Sequence, residues 1–165
     1  SIQSPLKQLS DEDQIFSLIR KGENKLIEFK ETFSKNIRTG QKDKEIEKSS
    51  LKNIVGFLNA NGGTLLIGVS DDGQVAGIEE DFFTSIDKYK LNFKNALNTK
   101  IGSEFYSLID YDLYTVAGKL VLKVACKPST DPCFYDQKEF YVRTNPATEK
   151  LEGKKQVDYI KARFK

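Results

Sequence analysis

The stretch from Glu45 to Val69 constrains this chain more than any other. Ile46, Leu51, Ile54, Val55 and Leu58 recur at helical spacing across Glu45 to Asn59, so an apolar helix stripe has to be covered. Asn61-Gly62-Gly63 then stops the helix, because glycine tolerates the left-handed backbone that a tight exit needs. Thr64 to Val69 follows as a short, almost wholly apolar run. Such a strand is buried on both faces, which places it inside a sheet with helices packed against it. The expected fold class is therefore α/β (α+β), one mixed sheet flanked by helices in a single compact domain.

Flanking segments fit that architecture. Ser10 precedes Asp11, Glu12 and Asp13, an N-cap followed by acids suited to a helix N-terminus. Ile15, Phe16, Leu18 and Ile19 give that helix its buried stripe, and Gly22 ends it. Leu26 to Phe33 reads as a strand carrying carboxylates, and Ser34 to Lys44 as a polar, basic, flexible loop. Ser70-Asp71-Asp72-Gly73 is a turn, with Gln74 to Ile78 returning as a hairpin strand. Phe82, Phe83, Ile86, Tyr89, Phe93 and Leu97 form the aromatic stripe of a further helix. Phe105 to Leu113, Leu120 to Cys126 and Glu139 to Arg143 read as strands, with turns at Gly118-Lys119 and Asp136-Gln137-Lys138. Lys154 to Phe164 closes the chain as a helix with Val157, Ile160 and Phe164 facing inward. Residues 1–9 read as a leader and 10–165 as the domain. A start at Ser1 and the lack of methionine suggest a piece of a longer protein with further domains.

Composition removes several classes of chemistry. There is no histidine, which excludes Ser-His-Asp and Cys-His nucleophiles. Cys126 and Cys133 are the only cysteines, too few for a structural zinc site, and they suit reduced thiols in a cytoplasmic protein. No run approaches the roughly 20 apolar residues of a membrane span. A net charge of +2 announces no nucleic-acid partner, but the segment from Lys138 to Lys165 is locally basic.

Three constellations carry candidate chemistry. Glu23 and Glu28, with Asp71 and Asp72 some forty residues on, are hard oxygen ligands of the kind that hold Mg²⁺ or Mn²⁺. Lys30 beside them adds a phosphate contact, though a solvated strand face with an Asp-rich turn explains the same residues. Gly62-Gly63 offers either backbone amides to a phosphate or a helix stop, and the missing Gly-Lys-Ser/Thr argues against a nucleotide loop. Finally, Lys138 to Asn145 mixes aromatics with Arg143 on a strand, able to stack a base and hold a phosphate or to pack a core.

In order along the chain, Glu23 to Lys30, Ile54 to Val69, Asp71-Asp72-Gly73 with Val75 to Ile78, Cys126 to Ser129 and Phe140 to Thr144 resemble the Schlafen AlbA-type DNA-binding domain. The resemblance implies a compact α/β fold and a nucleic-acid partner, DNA or RNA, with homodimerisation left open. It points to a regulatory module that contacts the phosphate backbone through a basic groove, with Lys30, Arg143, Lys150, Lys154 and Lys155 as contacts. The alternative it implies is a Mg²⁺- or Mn²⁺-dependent endoribonuclease using Glu23, Glu28 and Asp71. Ser70 stands where many members carry the first aspartate of that turn.

Overall fold

The central strand has the alternation that burial on two faces demands. In the computed structural model, which describes residues 10–81 and 85–165, this strand is β2 (Gly63–Ile67). Leu65 and Ile67 enter one apolar cluster and Leu66 the other, and all three are fully buried. β1 (Ile27–Lys30) runs parallel to β2 on one side. β4 (Lys119–Cys126) runs antiparallel on the other and continues to β3 (Ile109–Val116), giving the order β1-β2-β4-β3. α1 (Asp11–Lys21) covers one face through Ile15. α2 (Lys44–Leu58) and α3 (Ile86–Lys100) cover the other through Leu51, Ile54, Val55, Phe93 and Leu97. The α+β class with a mixed, helix-flanked sheet is the expected one.

The expected single sheet is nevertheless two. β5 (Phe140–Arg143) pairs with β6 (Thr148–Leu151) in a separate antiparallel ribbon, lying against α2 on one side and α4 (Gly153–Arg163) on the other. β6 lacks an apolar alternation because its middle residues, Glu149 and Lys150, are exposed. α2 is thus enclosed by sheet and ribbon. Gly56 allows the ribbon to approach: a Cβ there would lie 3.0 Å from the Thr148 side chain and 3.1 Å from the Arg143 amide nitrogen.

Several local expectations change for physical reasons. Gln74 to Ile78 is no strand, because Gly73 and Gly77 take positive φ and only Val69 and Val75 form a bridge. Residues 103–108 form a 3-10 helix before β3 begins. β1 stops at Lys30, because the following backbone turns toward Asp81. Val157 is exposed, and α4 packs through Tyr159, Ile160 and Phe164 instead. The leader at 1–9 and Phe82 and Phe83 of the aromatic stripe lie outside the described residues. Both cysteines are free and buried, and burial pushes the Cys133 thiol up to about 12. Among the described residues no helix is long and apolar enough to cross a membrane.

The β3 edge has its own closure. Leu108 accepts from Lys127, so the pairing rhythm turns the Leu113 amide away from β4. The Asp112 carboxylate takes that amide at 2.8 Å and also holds Lys90 at 3.0 Å.

The Gly62-Gly63 turn is packed interior rather than a phosphate cradle. A Cβ on Gly62, at φ +77°, would sit 2.5 Å from the Cys126 carbonyl oxygen, and one on Gly63 2.4 Å from the Phe57 ring. Gly62→Ala is expected to destabilise the domain by about 2–4 kcal/mol, combining left-handed strain with overpacking. Urea unfolding checks this, and a change below about 0.5 kcal/mol, the ordinary range for surface substitutions, counts against the packed turn.

Candidate functional site

Arg143 links the sheet to the ribbon. Its guanidinium is fully buried, donating to the Asn24 and Ile27 carbonyls at 2.7 and 2.9 Å and to Glu28 Oε2 at 3.2 Å. It also donates to Asn53 Oδ1 and Thr148 Oγ1, both at 3.2 Å, and stacks over Phe57 with 5.1 Å between its carbon and the ring centre. The expectation that Arg143 holds a phosphate is therefore corrected. No face of the guanidinium reaches solvent, and its role is to position β1, α2 and β6 around one charge.

Glu28 is the acidic half of this arrangement, and Lys30 lies 3.9 Å from its other oxygen. Burial lifts the Glu28 carboxyl above its ordinary value of 4.5, with Arg143 and Lys30 opposing and the nearby Glu23 adding to the rise. Glu23 is itself spent on structure, its Oε1 accepting the Phe29 amide at 3.0 Å. Lys30 reaches the other way, donating to Ser49 Oγ on α2 at 2.8 Å.

Beyond Lys30 and Ser49 lies an open cleft of about 330 Å³, roofed by the loop from Ser34 to Asp43. Lys30, Lys35, Arg38, Ser49, Ser70 and Asp71 are among its walls. The loop of polar composition is tied down by side-chain hydrogen bonds at its base and tip. Asp81, only 3% exposed, accepts the amides of Phe33, Ser34 and Lys35 at 2.6–3.0 Å, and the Tyr89 hydroxyl at 3.0 Å. Asn36 closes the tip by accepting the amides of Arg38 and Thr39 and donating to Asp43.

The structure thus gathers some of the expected residues and separates others. Glu23, Glu28 and Lys30 follow one another along β1 and its approach, and Lys30 and Asp71 both line the cleft. Asp71 does not join the glutamates: among the described residues no three acidic, Cys or His side chains are grouped to hold a metal ion. With Glu28 facing Arg143 and Glu23 held by a backbone amide, these carboxylates do not fit the Mg²⁺ or Mn²⁺ set that the nuclease alternative requires. Lys150 is clamped between Glu139 and Glu152 at 2.8 and 3.1 Å, and its bond with that of Lys48 holds the Glu139 carboxyl down at about 2. Lys154 pairs with Asp158 on the first turn of α4, where Lys155 is exposed, and none of these three lines the cleft. Arg38, Ser49, Asn53 and Asp81 were not singled out by sequence. Only the basic composition around Arg38 offered a signal.

The model of the family described as Schlafen, AlbA_2 matches residues 23–152, which contain all of this machinery except α4. The chain belongs to the Schlafen AlbA_2 family. Among solved structures, this Schlafen AlbA_2 domain is similar to the DIP2311 protein from Corynebacterium diphtheriae, with a TM-score of 0.58 and 19% identity. That match takes in 84% of this chain but 24% of the other, so the chain spans only a fraction of that relative's length. It is also similar to the N-terminal domain of a protein from Nitrosomonas europaea named as related to the ATP-dependent DNA helicase RecG. There the TM-score is 0.52 at 17% identity, over 88% of this chain and 97% of that one. At such identities the likeness is one of fold. No curated protein matches the chain in sequence.

Two outcomes follow from the buried pair. Arg143→Ala leaves Glu28 without its cation and is expected to cost about 3–5 kcal/mol, part of it recovered in Arg143→Met with Glu28→Gln. A double-mutant cycle from urea unfolding reads this coupling, and additive single effects would refute it. The raised Glu28 value means that the folded state holds the proton more tightly than the unfolded state. Its contribution is therefore present below 4.5 and is lost as pH rises through the folded value. Wild-type stability should accordingly fall relative to Glu28→Gln as pH rises from 4.5, in paired melts across that window.

Proposed function

We propose that this domain binds nucleic acid through its phosphate backbone, in the cleft beneath the 34–43 loop, as a regulatory binding module. The supporting observation is the cleft's chemistry: Lys30, Lys35 and Arg38 stand around it with the hydroxyls of Ser49 and Ser70. Cations and neutral donors on a fixed frame are what a phosphodiester needs, and they set register without reading bases. Glu31 and Asp71 share the cleft and temper its charge, which favours a tracked backbone over a tightly held free phosphate. Membership in the Schlafen AlbA_2 family and a fold neighbour named for its relation to a DNA helicase agree with this reading. Lys154 and Lys155 at the start of α4 form a second, peripheral contact in this proposal.

Titration against labelled duplex DNA, single strands and hairpin RNA tests it. Affinity should fall steeply with salt as counterions return to the phosphates, and Lys30→Ala should lower the salt slope by about one. Binding that is flat with salt, or unchanged in Lys30→Ala, counts against the cleft. The strands should remain intact with Mn²⁺ present; cutting that disappears in Glu28→Ala would instead establish the nuclease alternative.

A further inference from the structure

The tip of the 34–43 loop carries a feature that phosphate binding leaves unexplained. Ile37 is 59% exposed, more than any other large apolar side chain described, and the next is Leu91 at 54%. Single exposed apolar residues are ordinary on surfaces. This one differs in how it is held. The Gly40 amide donates to the Asn36 carbonyl at 2.7 Å, the Asn36 amide to the Gln41 carbonyl at 2.9 Å, and the Asp43 amide to the Ser34 carbonyl at 2.8 Å. Together with the Asp81 anchor at the base, these bonds close the tip upon itself with Ile37 turned outward.

Its surroundings are as specific. Ile37 lines both the cleft described above and a second one of about 690 Å³ toward Gly77 and Lys119, so it forms the ridge between two grooves. Arg38 is exposed beside it, and the loop from Ser34 to Lys44 carries Lys35, Arg38, Lys42 and Lys44 against the single acid Asp43. Single strands are held on aromatic platforms, and the nearest aromatic along this loop, Phe33, is buried at 5% exposure. An exposed aliphatic tip on a hydrogen-bonded loop, flanked by cations, suits another mode, in which a wedge enters the minor groove, parts a base step and kinks the duplex.

We propose that Ile37 is such a wedge: the 34–43 loop inserts it into the minor groove of duplex DNA while Arg38 engages the adjoining phosphates. This rests on the nucleic-acid reading above and names its substrate as deformable double-stranded DNA. Pyrimidine–purine steps, the easiest to unstack, are the expected sites.

The test uses the 165-residue chain and an A·T-rich duplex with 2-aminopurine beside a central TA step and a donor and acceptor dye at its ends. Wild type should raise the 2-aminopurine fluorescence and shorten the end-to-end distance. Ile37→Ala should abolish both signals while keeping salt-sensitive binding, and Arg38→Ala should weaken binding to all duplexes alike. Ile37 makes no core contact, and far-ultraviolet circular dichroism confirms that the variant is folded. Duplex bound by wild type without unstacking or bending overturns the wedge and leaves the cleft reading standing. So does an Ile37→Ala variant indistinguishable from wild type, or tighter binding to single strands or hairpin RNA. Failure of wild type to bind any of these probes overturns both.

Discussion

A single buried guanidinium holds the two parts of this domain in register. β1 is an edge strand, and the outer carbonyl of Ile27 accepts both the Asn24 amide at 3.0 Å and the Arg143 guanidinium at 2.9 Å. Arg143 adds a second donor there beside the Asn24 backbone, and the same planar fork binds Asn53 on α2 and Thr148 on β6. A lysine, with a point charge and no planar fork, cannot serve all these acceptors from its place over the Phe57 ring. Removing such a charge from water is costly, and the cost is offset only because nearly every donor finds an acceptor. Glu28 stays beside it, and that in turn fixes where Lys30 emerges.

The second fixed point is Asp81, which does for the loop what Arg143 does for the ribbon. Three successive amides converge on its carboxylate, so the start of a segment rich in polar residues has its backbone donors satisfied without a regular element. Lys30 comes from β1, Ser49 from α2 and Arg38 from the loop, and neither anchor alone would bring the three together. The cleft rests on two buried side chains, neither of which lines it.

Much of the fold could be read from periodicity, since the helical stripe of α2 and the apolar run of β2 admit few arrangements. The caps at Ser10 and Gly22 lie where their chemistry requires. The site was less legible. Arg143 on an aromatic strand reads as a surface contact until long-range packing encloses it, and no local pattern reports that Asn24, 119 residues away, supplies an acceptor. Asp81 looks like one more acid after Glu79 and Glu80, because its partners lie 46 to 48 residues earlier. Glu23 and Glu28 share a spacing with a metal pair, yet one is committed to a backbone amide and the other to a guanidinium. Sequence spacing fixes which residues are neighbours, whereas the neighbours' other obligations decide what they can still bind.

The closure at β3 has a consequence for how copies of this domain meet. An open strand edge is a template for adding another strand, and aggregation is one outcome of such pairing. Asp112 occupies one of the outward amides and brings a carboxylate and an ammonium to the middle of the edge. A second copy approaching there would have to strip both of water before gaining its first ladder bond. Copies of this domain can therefore lie side by side without their sheets fusing at β3.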